Sequence, residues 1–399
     1  MRKISLNEST FGEEEIGQAV KVLRSGHVTM GKYCAAFEED FADYLGVSNA
    51  IMTNSGSSAN LLAFFALANP LLPVVPGKRR ISSGDEVIVP AVTWSTTVWP
   101  IIQVGGIPVF VDSDPATLQM DVQAVEAAIG EKTVAICSVH ILGNAVEIER
   151  LRELADRHGL WLIEDACESL GTRRKGKPVG TFGDLGTFSF FFSHHITTIE
   201  GGMVVTDDDD IADLLRCLRA HGWTRHMRRG PEIAAKHPDI DPRFLFVNLG
   251  FNLSPTEING VFGIEQLKKL DGFNLRRIEA AEKWVRAFAD ISARGRMAPM
   301  RITADTEAAW FGFPVICDSK ATRDRLRDHL ERYGIETRPI ICGNITRQPA
   351  LKFLPHRVHS RLAGADRIMD CGLYWGIHPK MDDLDVRYVS DTVREFFTQ

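Results

Sequence analysis

The sequence predicts an α/β protein: a mainly parallel sheet of seven strands with helices on both faces, followed by a smaller C-terminal α+β lobe. Apolar runs at residues 86–90, 107–112, 133–140 and 160–165 lack the polar alternation of a half-exposed sheet, and helical segments separate them. Near Asn274 the pattern shifts to longer helices and fewer strands, which divides the chain into residues 1–273 and 274–399. A chain of 399 residues also exceeds what one simple core accommodates.

Taken in order, residues 13–23 and 34–44 carry helical spacing of apolar positions, separated by breaks at Gly26 and Gly31. A strand at 49–53 runs into the small polar turn Asn54-Ser55-Gly56-Ser57-Ser58-Ala59-Asn60 and a helix through Leu67. Strand, small-residue turn and helix together aim N–H groups and hydroxyls at a phosphate; an ordinary Ser or Asn cap gives the same pattern. Residues 70–83 read as a surface loop, and Trp94 follows the strand at 86–90. The carboxyl end of a parallel strand is where such sheets hold ligands, although an aromatic there also serves as packing. Helices at 120–129 and 146–158 flank the strand at 133–140, and Asp165 ends the strand at 160–165, as a ligand group or as a cap of the next turn.

A strand at 187–192 then leads to the adjacent pair His194-His195, and the chain re-enters a strand at 203–206. Neighbouring side chains point different ways, so one imidazole at most is central to a site. Helices follow at 211–221 and from Glu257 through Leu270, then a long helix at 276–293. Strands at 310–316 and 336–338 enclose a helix at 321–333.

Composition narrows the function. Hydrophobic residues make up 44% and charged residues 25%, ordinary for a globular protein, and a net charge of -6 gives no reason to expect nucleic acid or an anionic membrane as partner. The first eight residues lack the apolar core of a signal peptide and no run approaches a membrane span, so a cytoplasmic location is expected. The seven cysteines (34, 137, 167, 217, 317, 342 and 371) form no C-x-C or C-x-x-C pair. They read as free packing thiols, with neither a metal centre nor an iron–sulfur cluster expected.

In chain order the sequence carries Gly56-Ser57-Ser58-Ala59-Asn60, Thr93-Trp94, Val139-His140-x-x-Gly143-Asn144, Ile163-Glu164-Asp165-Ala166, Phe188-Ser189-Phe190, Thr197-Thr198-x-Glu200-Gly201-Gly202 and Gly250-Phe251-Asn252. No single piece is specific. Their order and spacing resemble the sugar-aminotransferase (DegT/DnrJ/EryC1/StrS) family of type I pyridoxal-phosphate enzymes, over nearly the whole chain. The departure is at His194, where the aminotransferases carry the cofactor-binding lysine. That substitution is similar to the nucleotide-sugar 3-dehydratases, which remove the C3 hydroxyl of a 4-keto-6-deoxy hexose.

The resemblance implies a homodimeric enzyme of the type I aminotransferase fold that uses pyridoxamine or pyridoxal 5′-phosphate without a covalent link. The implied substrate is GDP-4-keto-6-deoxy-D-mannose, with L-glutamate as co-substrate, in dideoxysugar biosynthesis for lipopolysaccharide O-antigen. Carried over residue by residue, Asp165 faces the pyridine nitrogen, Trp94 stacks on the ring, and Gly56, Ser57, Ser58 and Ser189 hold the phosphate. Asn252 is implied as a phosphate contact from the second subunit. His194 is the candidate base, since an imidazole both accepts and returns a proton near neutral pH, and His195 is read as its support.

Glu168 stands where many of these aminotransferases carry Gln, which alters contacts to the cofactor's O3′. Ser254 stands where many carry a basic residue. His140, Arg338 and His378 are candidate contacts to nucleotide sugar or glutamate, with ion pairs or satisfied loop histidines as the plainer alternatives. An ordinary nucleotide-sugar aminotransferase, or a cofactor-binding protein without activity, remains open at this point.

Overall fold

The seven strands read from the N-terminal part form one sheet in the computed structural model, which describes residues 2–398. Across the sheet the order is Asn49–Thr53, Gly202–Thr206, Leu185–Ser189, Trp161–Asp165, Thr133–Val139, Glu86–Pro90 and Ile107–Val111. From Leu185–Ser189 to Ile107–Val111 every pairing is parallel, whereas Gly202–Thr206 runs antiparallel to both its neighbours. All but the edge positions of these strands are buried, which is why their sequences show no polar alternation. Six of the seven strands, all but Gly202–Thr206, therefore deliver their carboxyl ends to one side, and Trp94, His140, Asp165 and Ser189 all lie at or just beyond those ends.

The C-terminal part adds an antiparallel sheet in the order Met297–Pro299, Gly312–Cys317, Gly372–Gly376 and Thr337–Arg338. It also returns a two-residue strand, Arg357–Val358, as an eighth member of the large sheet beside Ile107–Val111. Trp284, Phe288, Phe313 and Trp375 pack edge-to-face or tilted within 6.2 Å of one another beneath the small sheet. Among the described residues no helix is long and apolar enough to cross a membrane.

Three expectations are corrected. The strand expected at 187–192 is Leu185–Ser189. Beyond Ser189 the chain turns inward, because Phe190 packs against Phe37 and Phe41 at 5.3 Å and its backbone bonds Gly201 and Thr198 rather than a sheet neighbour. The helix expected at 276–293 begins at Leu270 and breaks at Phe288, giving Leu270–Ala287 and Ala289–Ala293. The helix expected at 120–129 is the shorter Val122–Ala128, started by the Asp121 side chain, which accepts from the N–H groups of Gln123 and Ala124.

Buried polar side chains fix the loops that reach the sheet's carboxyl side. Glu164 is wholly buried and its carboxylate accepts from the backbone N–H groups of Gly180 (2.9 Å), Phe182 (2.6 Å) and Gly183 (2.5 Å), and from His140 Nε2 (2.9 Å). Gln266 holds the strand-connecting loop from the other side: its Oε1 accepts from Thr197 N (3.2 Å) and Thr10 Oγ1 (2.8 Å). Asn259 donates to the carbonyls of Thr198 and Glu200, both at 2.9 Å.

Replacing Glu164 by Ala strands the buried N–H of Gly180, the half-buried N–H groups of Phe182 and Gly183, and a buried imidazole N–H. The expected loss is about 3 kcal/mol or more of unfolding free energy, measured by urea denaturation. A loss under about 1 kcal/mol would show that those donors find other partners.

Candidate active site

The helix Gly56–Leu67 starts at the carboxyl side of the sheet, with Ser55 as its N-cap accepting from Ser58 N. Gly56 is required there by a close approach: a Cβ would lie 2.5 Å from the Ser189 Cβ. With no side chain at Gly56, the hydroxyl of Ser189 sits against the first turn of the helix, next to its unpaired N–H groups. Ser57 Oγ donates to Thr96 Oγ1 (3.0 Å), and Ser58 Oγ donates to Asn54 Oδ1 (2.6 Å).

Asn60 lies four residues, about 6 Å, further along the same helix. Its amide donates to Asp165 Oδ2 (2.8 Å) while its own oxygen accepts from Thr187 Oγ1 (2.6 Å). Thr97 Oγ1 donates to the same Asp165 oxygen at 2.7 Å. Asp165 is 5% exposed, and its carboxylate is held by these two neutral side chains. A phosphate cradle and a buried carboxylate about one helical turn apart, with Trp94 standing exposed at the N-cap of Ser95–Gln103, suit a flat cationic heterocycle that ends in a phosphate.

The turn after Asp165 supplies two more groups. The carbonyl of Cys167 is 2.7 Å from His194 Nδ1, which assigns the proton to Nδ1 and leaves the Nε2 lone pair free. The Phe311 ring packs edge-on to His194 at 5.0 Å. Burial pushes the His194 pKa down to about 4, opposed by the Cys167 carbonyl and the Asp165 charge and reinforced by Arg277. The ring is half-buried, and this direction favours its neutral form near neutral pH. Glu168 accepts from Leu142 N at 3.0 Å, and burial, aided by the Asp165 charge, pushes its carboxyl up to about 7.

His195 points the other way, as adjacency requires. It is fully buried, its Nε2 meets the Ala309 carbonyl at 2.5 Å, and burial holds its pKa well below the ordinary value. Its neighbour Arg277 is also buried and donates through Nη1 to the carbonyls of Trp310, Phe311 and Ile377. The two side chains together fix the segment that carries Phe311.

Trp94, Glu168 and Arg338 line one cavity of about 440 Å³, together with Phe191, Phe311 and Tyr374. The other candidates lie outside its lining. His140 is fully buried below Asp165, against Glu164. His378 is 7% exposed, with burial pushing its pKa down to about 4. Asn252 is exposed and joined through its backbone to Ala220, and Ser254 is half-buried beside it.

Sequence reasoning missed Asn60, Thr97, Phe311 and Tyr374 as site residues. Asn60 was within a quoted motif; Tyr374 had no local signal, since it arrives on the strand Gly372–Gly376. All seven cysteines are free, and among the described residues no group of three or more His, Cys, Asp or Glu is placed to hold a metal.

Residues 9–394 match the DegT/DnrJ/EryC1/StrS aminotransferase family. The chain belongs to this family. It is 40% identical over 388 residues to GDP-4-keto-6-deoxy-D-mannose 3-dehydratase of Yersinia pseudotuberculosis, covering 95% of this chain and 96% of that one. It is 36% identical to lipopolysaccharide biosynthesis protein RfbH of Salmonella typhimurium, covering 97% and 90%. A crystal structure of a GDP-4-keto-6-deoxymannose-3-dehydratase mutant with bound GDP-perosamine superposes with a TM-score of 0.90 at 37% identity, covering 98% of this chain and all of that one. Another, with a trapped PLP-glutamate geminal diamine, superposes at 0.89 with the same identity and coverage.

The tautomer and burial of His194 are checked by ¹⁵N-histidine NMR of the cofactor-free protein, with His194→Asn to assign the signal. His194 should stay neutral, protonated on Nδ1, from pH 8 down to below pH 5.5. A midpoint near its unperturbed value of about 6.5 would show a solvated ring and remove the argument for a standing base.

Proposed function

We propose that the protein is a pyridoxamine-phosphate-dependent 3-dehydratase of a nucleotide-activated 4-keto-6-deoxy hexose. GDP-4-keto-6-deoxy-D-mannose is the substrate, and L-glutamate regenerates the cofactor. The observation that carries this reading is His194: an imidazole with a free Nε2 stands where the family's aminotransferases have lysine, and no lysine lines the adjoining cavity. The relatives named above support the substrate class, and the geminal diamine of one of them supports glutamate.

When bound, pyridoxamine phosphate supplies an amine for the C4 ketone and an electron sink that lets the C3 hydroxyl depart. In this reading Gly56, Ser57, Ser58 and Ser189 hold the phosphate, with Asn252 contributed by a second subunit. Asp165, already fixed by Asn60 and Thr97, accepts the pyridinium N–H. Trp94 covers one ring face. His194 Nε2 takes the proton from the cofactor's C4′ carbon, which a neutral imidazole is suited to do. His195 sets the segment behind it, and Arg338 faces the sugar nucleotide or glutamate from the cavity wall.

The reading further takes the chain to be cytoplasmic and homodimeric, and keeps the division at residue 273. Aromatic and aliphatic side chains left exposed around the site, Phe191 at 45% and Ile199 at 45% among them, favour a second copy as their cover. Sedimentation equilibrium should give twice the 44.4 kDa chain mass.

The decisive assay is the mass of the product from GDP-4-keto-6-deoxy-D-mannose, the amine cofactor and excess L-glutamate. A sugar lighter by one oxygen is expected, and His194→Lys should lose it by at least about 100-fold. An amino sugar would make the protein an aminotransferase. No conversion of pyridoxal to pyridoxamine phosphate by glutamate would leave a binding protein without activity.

A further inference from the structure

Among the described residues two β-branched side chains sit on backbone in the left-handed region, Ile199 at φ 72° and Ile341 at φ 48°. Of the two, Ile341 lines the site cavity. It is the second residue of a tight turn at 340–343, which Gly343 N closes by donating to the Ile340 carbonyl at 2.9 Å. A positive φ at that position ordinarily goes with Gly, Asn or Asp, and a branched side chain there is strained. Strain of this kind persists where the surroundings over-determine the backbone, and it gathers at sites that hold ligands.

The surroundings do over-determine this turn. Cys342 Sγ donates to the Thr93 carbonyl at 2.7 Å, and Ile345 N donates to the Ala91 carbonyl at 2.9 Å. Asn344 is bridged through its backbone to Val92, and its side chain donates to Asp366 Oδ1 at 2.9 Å. The turn is thereby tied to the loop that carries Trp94, while Ile340 is buried behind it. The Ile341 side chain is half-buried: it packs against the main core and also forms part of the cavity wall. Leu6 and Pro339 are the other aliphatic groups of that wall, whose remaining side chains are aromatic or polar.

We propose that Ile341 reads carbon 6 of the hexose: its side chain is an apolar wall that receives the methyl group of a 6-deoxy sugar and leaves a 6-hydroxyl without a partner. This rests on the nucleotide-sugar reading and deepens it. Beyond its base, such a ligand presents phosphates, hydroxyls and a ketone, and the C6 methyl is its one alkyl end. A flat base finds stacking partners in aromatic rings, whereas a compact branched aliphatic matches a methyl. A methyl gains by leaving water, and a hydroxyl placed against the same wall gives up its bonds to water without replacement. The strained turn is the cost of putting a branched side chain, and not a glycine, at that point of the wall.

Isothermal titration of the full chain, loaded with pyridoxamine phosphate, compares two ligands that differ by one oxygen at C6: GDP-6-deoxy-D-mannose and GDP-D-mannose. Neither carries the C4 ketone, so neither reacts and the readout is affinity alone. Wild type should bind the 6-deoxy ligand at least about 10-fold more tightly. Ile341→Thr keeps the branched shape and adds a hydroxyl, so it should bring the two affinities within about 3-fold of each other. Ile341→Gly relieves the turn and removes the wall; it should also erase the preference, by losing affinity for the 6-deoxy ligand, and it keeps the test in force if the Thr variant does not fold. A merely structural role would weaken both ligands together and leave their ratio unchanged. That result, or equal binding of both by wild type, overturns the proposal and leaves the nucleotide-sugar reading standing. Binding of neither ligand by wild type overturns both.

Discussion

The site depends on one four-residue turn, Asp165 to Glu168, at the end of a central parallel strand. Successive strand residues point to opposite faces, and here both directions are used. Glu164 reaches below the sheet's end and gathers three backbone N–H groups of the 180–183 loop. That loop feeds the strand Leu185–Ser189 and, beyond it, His194. Asp165 reaches above and is clamped by Asn60 and Thr97, from the two helices that begin around the site. Cys167 and Glu168 add the carbonyl that orients His194 and a second carboxyl. A shift of this turn would displace every one of these groups together.

Burial then acts in opposite senses on an imidazole and a carboxyl. Removing water disfavours whichever form is charged. It therefore lowers the proton affinity of His194 and raises that of Glu168, with Arg277 adding to the first shift and the Asp165 charge to the second. The Asp165 carboxylate between them accepts from two side-chain donors and from the Cys167 N–H. Arg277 adds a buried cation behind the histidines; its charge lowers the proton affinity of both.

Much of this was legible in the sequence where the signal was local. Strands Asn49–Thr53 and Glu86–Pro90 fall where apolar runs between turn residues put them, because central parallel strands advertise burial on both faces. Phe190 misled the reading of its strand, since an apolar residue continues a β pattern whether it lies in the sheet or folds into the aromatic cluster below. Arg357–Val358 and Gly372–Gly376 pair with segments far away in sequence, and neither carries a pattern that names its partner. The same holds inside the site. Gly56 and Asp165 were readable as a cradle and a carboxylate, whereas the Thr97, Phe311 and Tyr374 contacts exist only once distant segments meet.

The exchange of lysine for histidine at position 194 makes sense only with these surroundings. A free imidazole on a loop would titrate near neutrality and swing between rotamers. The Cys167 carbonyl removes one tautomer, the Phe311 ring blocks one face, and burial removes the proton. Phe311 is in turn fixed by Arg277 on its carbonyl and by His195 on the Ala309 carbonyl two residues before it. His195 is therefore tied to His194 through this segment, by its bond to the Ala309 carbonyl and by its ring packing on Phe311 at 5.8 Å. A lone lysine-to-histidine change on an aminotransferase scaffold would supply the base without its orientation. The adjacent His195, bonded to the Ala309 carbonyl of the segment that packs on His194, holds the Phe311 ring against that imidazole.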